Sequence, residues 1–550
     1  FKEEFEENGF EDKIETEIIK LFNGEINIGK NLTKEQKNEI IILLKEYPKL
    51  WTFNDEIIGD IKNYEHRIPT GNAKPIAQTP ARCSFKEMEL IDKEVEKLLK
   101  IGVIKPSNSP WAARTVMIMK GDRRPRLCVD YRELNKITVR DQYPLPDIQM
   151  CIKSLSGGKY FSSLDCNKAF HQIRIHPEDI QKTAFVTPSG KFYEFVRLPF
   201  GLHNSPSSYQ RVVDLTLSGL KYSEIASFVD DILVFGSTFE EHNRRLKTVL
   251  TRLNDAGFTL RAPKCQIGLD KVVFLGQLIT RDGVRPAGKL LRSIKEFPTP
   301  FDQRSVRAFL GLIGFFRKYC ENFARISKPL VDLTRENIKF EWNETHEDAF
   351  KILRRKLMSK PILAHYDPKL LTRLDCDASL TGISGILMQH YENGYKPIGF
   401  YSRLLRGAEK NYAIYDLEIL AVVQSLKHFR DMLWGIKFIL YTDNQAVSYV
   451  KNKKDLIGRL ARARMDMEEY EFEIYYKPGA LNGAADCLSR YPIGWKLIDE
   501  KYEKPTINNI ICFSGNLTIK ELIHLQREDK NLKTIIDMIK NQEALSKKKV

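Results

Sequence analysis

No two of the nine cysteines stand at the C-x-x-C spacing, and they are odd in number and scattered along the chain. That pattern argues against a disulfide framework and a zinc ribbon, and fits a reducing compartment. Long apolar runs are also missing. Stretches such as Ile40-Ile-Ile-Leu-Leu44 fall far short of the roughly 20 apolar residues that span a bilayer, so no membrane partner is expected. No signal-peptide pattern opens the sequence, and its first residue is Phe1 rather than Met, so it is expected to be a fragment or a processed piece of something longer. Acidic residues are in deficit, with 72 Asp and Glu against 87 Lys and Arg and a net charge of +15. Such a balance points to a polyanionic partner, with nucleic acid ahead of anionic membrane.

What is present is globular in character. A chain of 550 residues is too long for one core, so three or four domains are expected. Its 42% hydrophobic and 29% charged residues exclude global disorder. The stretch that organises the rest is Ser227-Phe-Val-Asp-Asp-Ile-Leu-Val-Phe-Gly236, in which Asp230 and Asp231 sit between two apolar runs. The pattern predicts a β-hairpin with the acids at or near its turn. A solvated turn would have that sequence too. Two carboxylates about 4 Å apart repel by roughly 4 kcal/mol at an effective dielectric near 20, however, and a divalent cation reverses that sign.

Other elements gather around this one. Thr33-Lys-Glu-Gln36 is a capping-box start for a helix over Leu32–Tyr47, and a second helical pattern from Glu87 stops at Gly102. Arg114–Lys120 and Pro125–Val129 read as a basic hairpin, with Lys120 and Arg126 as candidate triphosphate contacts; a solvated edge strand has the same composition. Tyr160–Asp165 reads as a strand ending in an acid, which supplies a third carboxylate. Arg197–Pro206 is a loop followed by a helical run over Ser207–Leu217, Phe274–Ile279 is hairpin-like, and residues 288–360 turn helical. After Pro361 the texture changes again. Asp377 and Asp443 end strands, Glu418 lies on an amphipathic helix over Tyr412–Leu433, and Asp486 opens a helix. Four such carboxylates can converge on one face of an α/β sheet.

Several of these motifs together resemble the reverse transcriptase of gypsy-like LTR retrotransposons. They are Asp165 with Phe-Val-Asp230-Asp231, Cys128-Val-Asp-Tyr-Arg-Glu-Leu-Asn135, Leu198-Pro-Phe-Gly201 and Phe274-Leu-Gly276. Phe309-Leu-Gly-Leu312, Asp377-Ala-Ser379, Tyr441-Thr-Asp443 and Ala485-Asp-Cys-Leu-Ser-Arg490 resemble the thumb and ribonuclease H of the same elements. The ordered set covers roughly residues 60–492 and is specific where each motif alone is weak.

The resemblance implies a multidomain α+β and α/β chain: a right-hand polymerase of fingers, palm and thumb, followed by a ribonuclease H-like domain. It places an N-terminal spacer after the protease region at 1–75, fingers and palm at 76–285, thumb and connection at 286–365, ribonuclease H at 366–492, and a spacer towards an integrase at 493–550. Asp165, Asp230 and Asp231 would hold two Mg²⁺ ions (or Mn²⁺) in the palm. Asp377, Glu418, Asp443 and Asp486 would hold two more in the ribonuclease H half. Lys120 and Arg126 would grip the triphosphate, Phe170 would clash with a ribose 2′-hydroxyl, and Phe200 would line the nucleotide site. The implied partners are an RNA template, a DNA primer, their RNA–DNA hybrid and deoxynucleotides. A second copy of the chain and the flanking protease and integrase of the polyprotein complete the set. The implied location is the cytoplasm, inside virus-like particles.

Departures from the family pattern are local. Phe228 stands where Tyr is usual, Phe200 where retroviral enzymes carry Gln, and Asn444 where His is common. Arg462-Ala463 replaces a usual Trp, and no His lies near Asp486. No Asp-Thr-Gly or Asp-Ser-Gly is present, so no aspartic protease is expected within the sequence. A domesticated, non-catalytic nucleic-acid-binding protein is the alternative. It would be expected to have lost a metal ligand, whereas all seven carboxylates are present.

Overall fold

The computed structural model describes residues 12, 14–54, 56–119, 125–336, 338–359, 362–442, 447, 450 and 458–476. Its centre is a six-stranded sheet in the order Thr16–Leu21, Gly24–Gly29, Gln266–Leu269, Tyr160–Asp165, Asp231–Gly236, Ile225–Phe228. The last two strands form the hairpin that the apolar runs flanking Asp230 and Asp231 predict. Their inward residues, Ile225, Ile232 and Val234, are fully or almost fully buried. Behind the sheet lies the helix Phe239–Ala256, capped by Thr238 and stopped by Gly257 at φ 86°. Its apolar residues Leu246, Val249, Leu250 and Leu253 recur at helical spacing and are all buried, which is what seats this face on the sheet.

The stretch expected as an N-terminal spacer contributes structure. Thr16–Leu21 and Gly24–Gly29 pair as a hairpin, and Gly24–Gly29 runs parallel to Gln266–Leu269 at the edge of the central sheet. The capping box at Thr33 and Gln36 is formed, and the helix Lys34–Lys45 buries Ile40, Leu43 and Leu44 in the same core.

A second sheet, in the order Ile104–Pro106, Phe192–Phe195, Phe185–Val186, Ala113–Met119, Pro125–Val129, packs with helix Phe85–Lys100 around Ile91, Val95, Phe185 and Phe195. The basic hairpin is paired from Thr115↔Val129 to Met119↔Pro125. Lys120 lies outside the described residues, as does the side chain of Arg126. Next comes a three-stranded meander, Lys271–Phe274, Gln277–Thr280 and Gly283–Pro286. Its first turn is Leu275-Gly276 with both residues at positive φ, the geometry that a two-residue type I′ turn requires.

Four helices follow, Gly288–Lys295, Gln303–Gly314, Phe323–Asp332 and Glu344–Met358. They pack around Phe309 and Phe350, whose ring centroids are 4.6 Å apart. The last described sheet has the order Gly394–Leu404, Gly382–Tyr391, Thr372–Ala378, Lys437–Thr442, Glu471–Tyr476. Its first three strands are antiparallel and its last two join in parallel. The helix expected over Tyr412–Leu433 is two helices, Ile414–His428 and Arg430–Leu433, parted at Phe429. The longer one approaches the sheet closely at Gly385, where a Cβ would come within 2.2 Å of Ser425 Oγ. Among the described residues no helix is long and apolar enough to cross a membrane.

Candidate active sites

Asp165 is the last residue of its strand and Asp231 the first of the neighbouring one, and the antiparallel register sets them directly opposite each other. Cross-strand partners of this kind have Cα atoms about 4.5–5.5 Å apart. Asp230 occupies the two-residue turn with Val229, between the paired residues Phe228 and Asp231. Val229 sits at φ 52°, a left-handed conformation that disfavours β-branched residues. Its N–H donates to Gln210 Oε1 at 2.7 Å.

The electrostatics are those of crowded carboxylates. Desolvation by the surrounding protein, then the charges of Asp230 and Asp165, push the Asp231 carboxyl up to about 6. Desolvation raises Asp165 as well; Lys264 opposes this with its ammonium 3.5 Å from Asp165 Oδ1, while Asp230 adds to it. Among the described residues no three acidic, histidine or cysteine side chains are closed to metal-ligand spacing. The all-oxygen donor set of the three carboxylates suits a hard divalent cation.

Phe170 lies on the short 3₁₀ turn Ala169–Gln172 that follows the Asp165 strand. Its ring contacts Phe200 at 5.0 Å and Tyr209 at 5.7 Å between centroids. Phe200 is 56% exposed, on the loop that follows Leu198. Asn135 clamps that loop from both sides: Nδ2 donates to Gly201 O at 2.9 Å, and Oδ1 accepts from His203 N at 3.0 Å. Gly201 is at φ 99°, with space for a Cβ only at 3.3 Å from Val129 O.

In the second site, Asp377 stands near the end of strand Thr372–Ala378. Glu418 is buried on helix Ile414–His428, which packs over that strand and its neighbour. Asp375 pairs in register with Tyr441 on the adjacent parallel strand. Lys437–Thr442 ends one residue before Asp443; Asp443 and Asp486 lie outside the described residues. Sequence reasoning missed Glu321, a buried carboxylate from the preceding helical segment. Burial pushes it up to about 7, and the charges of Asp377 and Asp375 add to the shift while Lys356 opposes it. Gln210, Lys264 and Asn135 were likewise missed, since nothing in the local pattern around each of them marks a partner far along the chain.

Residues 105–279 match the model of the family described as reverse transcriptase (RNA-dependent DNA polymerase). Residues 342–440 match the RNase H-like domain found in reverse transcriptase. The chain carries a reverse transcriptase domain and an RNase H-like domain, and its relatives are Pol polyproteins of transposons. It is 36% identical over 456 residues to the Pol polyprotein of transposon 297 from Drosophila melanogaster, covering 82% of this chain and 42% of that protein. Identity to the transposon gypsy Pol polyprotein of the same organism is 32% over 488 residues, 85% of this chain and 46% of that one. The chain thus spans about half the length of the curated relatives it matches. Among solved structures, the foamy viral protease-reverse transcriptase in complex with dsDNA superposes with a TM-score of 0.72 at 25% identity, over 82% of this chain and 95% of that one. The foamy viral protein in complex with an RNA/DNA hybrid gives 0.67 at 25% identity, over 86% and 64%. The expected right-hand polymerase with an RNase H-like domain is therefore borne out. Domains of both kinds use divalent metal ions.

Proposed function

We propose that this reverse transcriptase region copies RNA into DNA at the Asp165–Asp230–Asp231 site and cleaves the RNA strand of the resulting hybrid at a site containing Asp377 and Glu418. The pairing of Asp165 with Asp231 across adjacent strands, with Asp230 in the connecting turn, carries the reading. Divalent cations held there, Mg²⁺ in our reading, supply Lewis-acid activation of the primer 3′-hydroxyl and charge neutralisation on the phosphates. The protein's part is to present three carboxylates at one sheet end, where they would hold the cations, with Lys264 Nζ 3.5 Å from Asp165 Oδ1. Phe170, pinned by Phe200 and Tyr209, blocks a 2′-hydroxyl and so selects deoxynucleotides. Lys120 and Arg126 bind the triphosphate from the basic hairpin.

In the second site Asp377, Glu418, Asp443 and Asp486 hold the cations that direct hydrolysis, and the 2′-hydroxyl in the wide minor groove marks the RNA strand. The partners in this reading are RNA template, DNA primer, hybrid and deoxynucleotides, with a second copy of the chain and the flanking protease and integrase. The setting is a cytoplasmic virus-like particle. Primer extension on a labelled RNA template with Mg²⁺, comparing wild type with Asp230→Asn, tests the proposal. Extension by wild type alone, with shortening of the template, supports both activities. A folded wild type that binds hybrid and extends nothing overturns the polymerase reading in favour of a binding protein.

A further inference from the structure

The turn that carries Asp230 is held from behind by a side-chain network. Val229, at φ 52°, takes a left-handed conformation that a β-branched residue rarely adopts, so its neighbours must hold it there. The hydrogen bond from its N–H goes to Gln210 Oε1, on the helix Ser205–Thr216. Gln210 is completely buried. One helical turn further along, Asp214 Oδ1 accepts from Gln210 Nε2 at 2.9 Å. A carboxylate can only accept, and a backbone N–H can only donate. Between them they leave the Gln210 amide one orientation, with its oxygen towards Val229 and its nitrogen towards Asp214.

Asp214 is itself fixed. Lys221 Nζ donates to both of its oxygens, at 2.8 and 3.0 Å, and Tyr143 Oη donates to Oδ2 at 2.9 Å. The Tyr143 ring in turn lies under Arg211, 4.8 Å from ring centroid to guanidinium carbon, and Arg211 pairs with Asp141 at 2.8 Å. The chain of contacts thus runs from a half-buried lysine and a half-buried tyrosine, through Asp214 and Gln210, to the main chain next to Asp230.

We propose that Asp214 is a positioning residue of the polymerase site: it fixes the Gln210 amide, and through it the left-handed turn that aims Asp230. The inference rests on the polymerase reading of the Asp165–Asp230–Asp231 site. Losing a partner that directly orients a metal ligand commonly lowers affinity or activity about 10- to 100-fold. Asp214 acts on Asp230 through both Gln210 and the Val229 main chain, so the low end, about tenfold, is expected. Asp214→Ala should therefore lower kcat for primer extension by about that factor with KM for deoxynucleotide little changed, and leave hybrid cleavage at the wild-type rate.

A charge-swapped pair separates positioning from plain stability. Gln210→Glu keeps an acceptor for the Val229 N–H but sets a carboxylate against Asp214, so extension should fall. Adding Asp214→Asn lets the new amide donate to the new carboxylate, so the double variant should recover most of the lost kcat. Mn²⁺ titration followed by electron paramagnetic resonance, in an Asp377→Asn background, reads the same effect without turnover. There Asp214→Ala should weaken binding about tenfold. This readout decides the inference even if wild type extends no primer, an outcome that would count against the polymerase reading alone. Extension and Mn²⁺ affinity within twofold of wild type in Asp214→Ala would overturn the inference. So would a double variant no better than Gln210→Glu, or equal losses of extension and cleavage with a lowered melting temperature. If Asp214→Ala fails to fold, the Gln210→Glu and double-variant comparison decides alone.

Discussion

Asp231 opens its strand directly across from Asp165, the last residue of the neighbouring strand. Desolvation, then the charges of Asp230 and Asp165, push the Asp231 carboxyl up to about 6, so its ionised form is disfavoured in the metal-free protein. Asp231→Asn should therefore abolish primer extension, by about a hundredfold or more, while raising the melting temperature of metal-free protein by about one or two degrees. Extension assays and calorimetry in EDTA check the two halves. A lowered melting temperature would show that Asp231 is not strained by its neighbours.

The two sites should separate genetically. Asp377→Asn and Glu418→Gln are expected to reduce cleavage of the RNA strand by about a hundredfold or more, and to leave extension on the same template within about twofold. A gel that resolves template and product reports both. Parallel loss of extension would mean that the second domain supports the first mechanically.

Discrimination against ribonucleotides should reside in one ring. Phe170 is held between Phe200 and Tyr209 at 5.0 and 5.7 Å. Phe170→Ala should lower the ratio of kcat/KM for deoxynucleotide over ribonucleotide by at least about tenfold, since a steric contact of this kind is worth about 1–3 kcal/mol. An unchanged ratio would move the selecting contact elsewhere.

Stability should fall in mild acid. His242 is fully buried with Nε2 2.7 Å from Ser162 Oγ, and burial lowers it to about 4. His66, buried with Nδ1 2.8 Å from Ser208 Oγ, is lowered to the same value. The unfolded chain binds these protons near pH 6.5, so stability is complete above that pH and is lost as pH falls towards 4, by about 3 kcal/mol for each histidine. Melting temperatures across this window test the effect. His242→Gln keeps a donor or acceptor near Ser162 and should flatten the curve.

Much of the local structure was legible in the residues. The capping box at Thr33, the helix stop at Gly102, the strand ending at Asp165 and the hairpin around Asp230 all formed, because each depends on neighbours within a few positions. The pattern over Tyr412–Leu433 predicts a single amphipathic helix, whereas the structure has two helices parted at Phe429, the longer of them buried on more than one face. Its apolar residues extend beyond one stripe, and a period alone does not report how many sides are covered.

By itself the sequence determined the carboxylates, their placement at strand ends and in a turn, and the order of motifs that marks the family. Tertiary structure alone decided which acids meet. Asp165 faces Asp231 because two distant strands pair in one register, and a slip of one residue would turn every side chain to the opposite face. It also decided that the N-terminal hairpin completes the central sheet, that Lys264 stands beside Asp165, and that Gln210 holds Val229. Those contacts depend on which surfaces become buried together, and burial is a property of the assembled core rather than of any short stretch of chain.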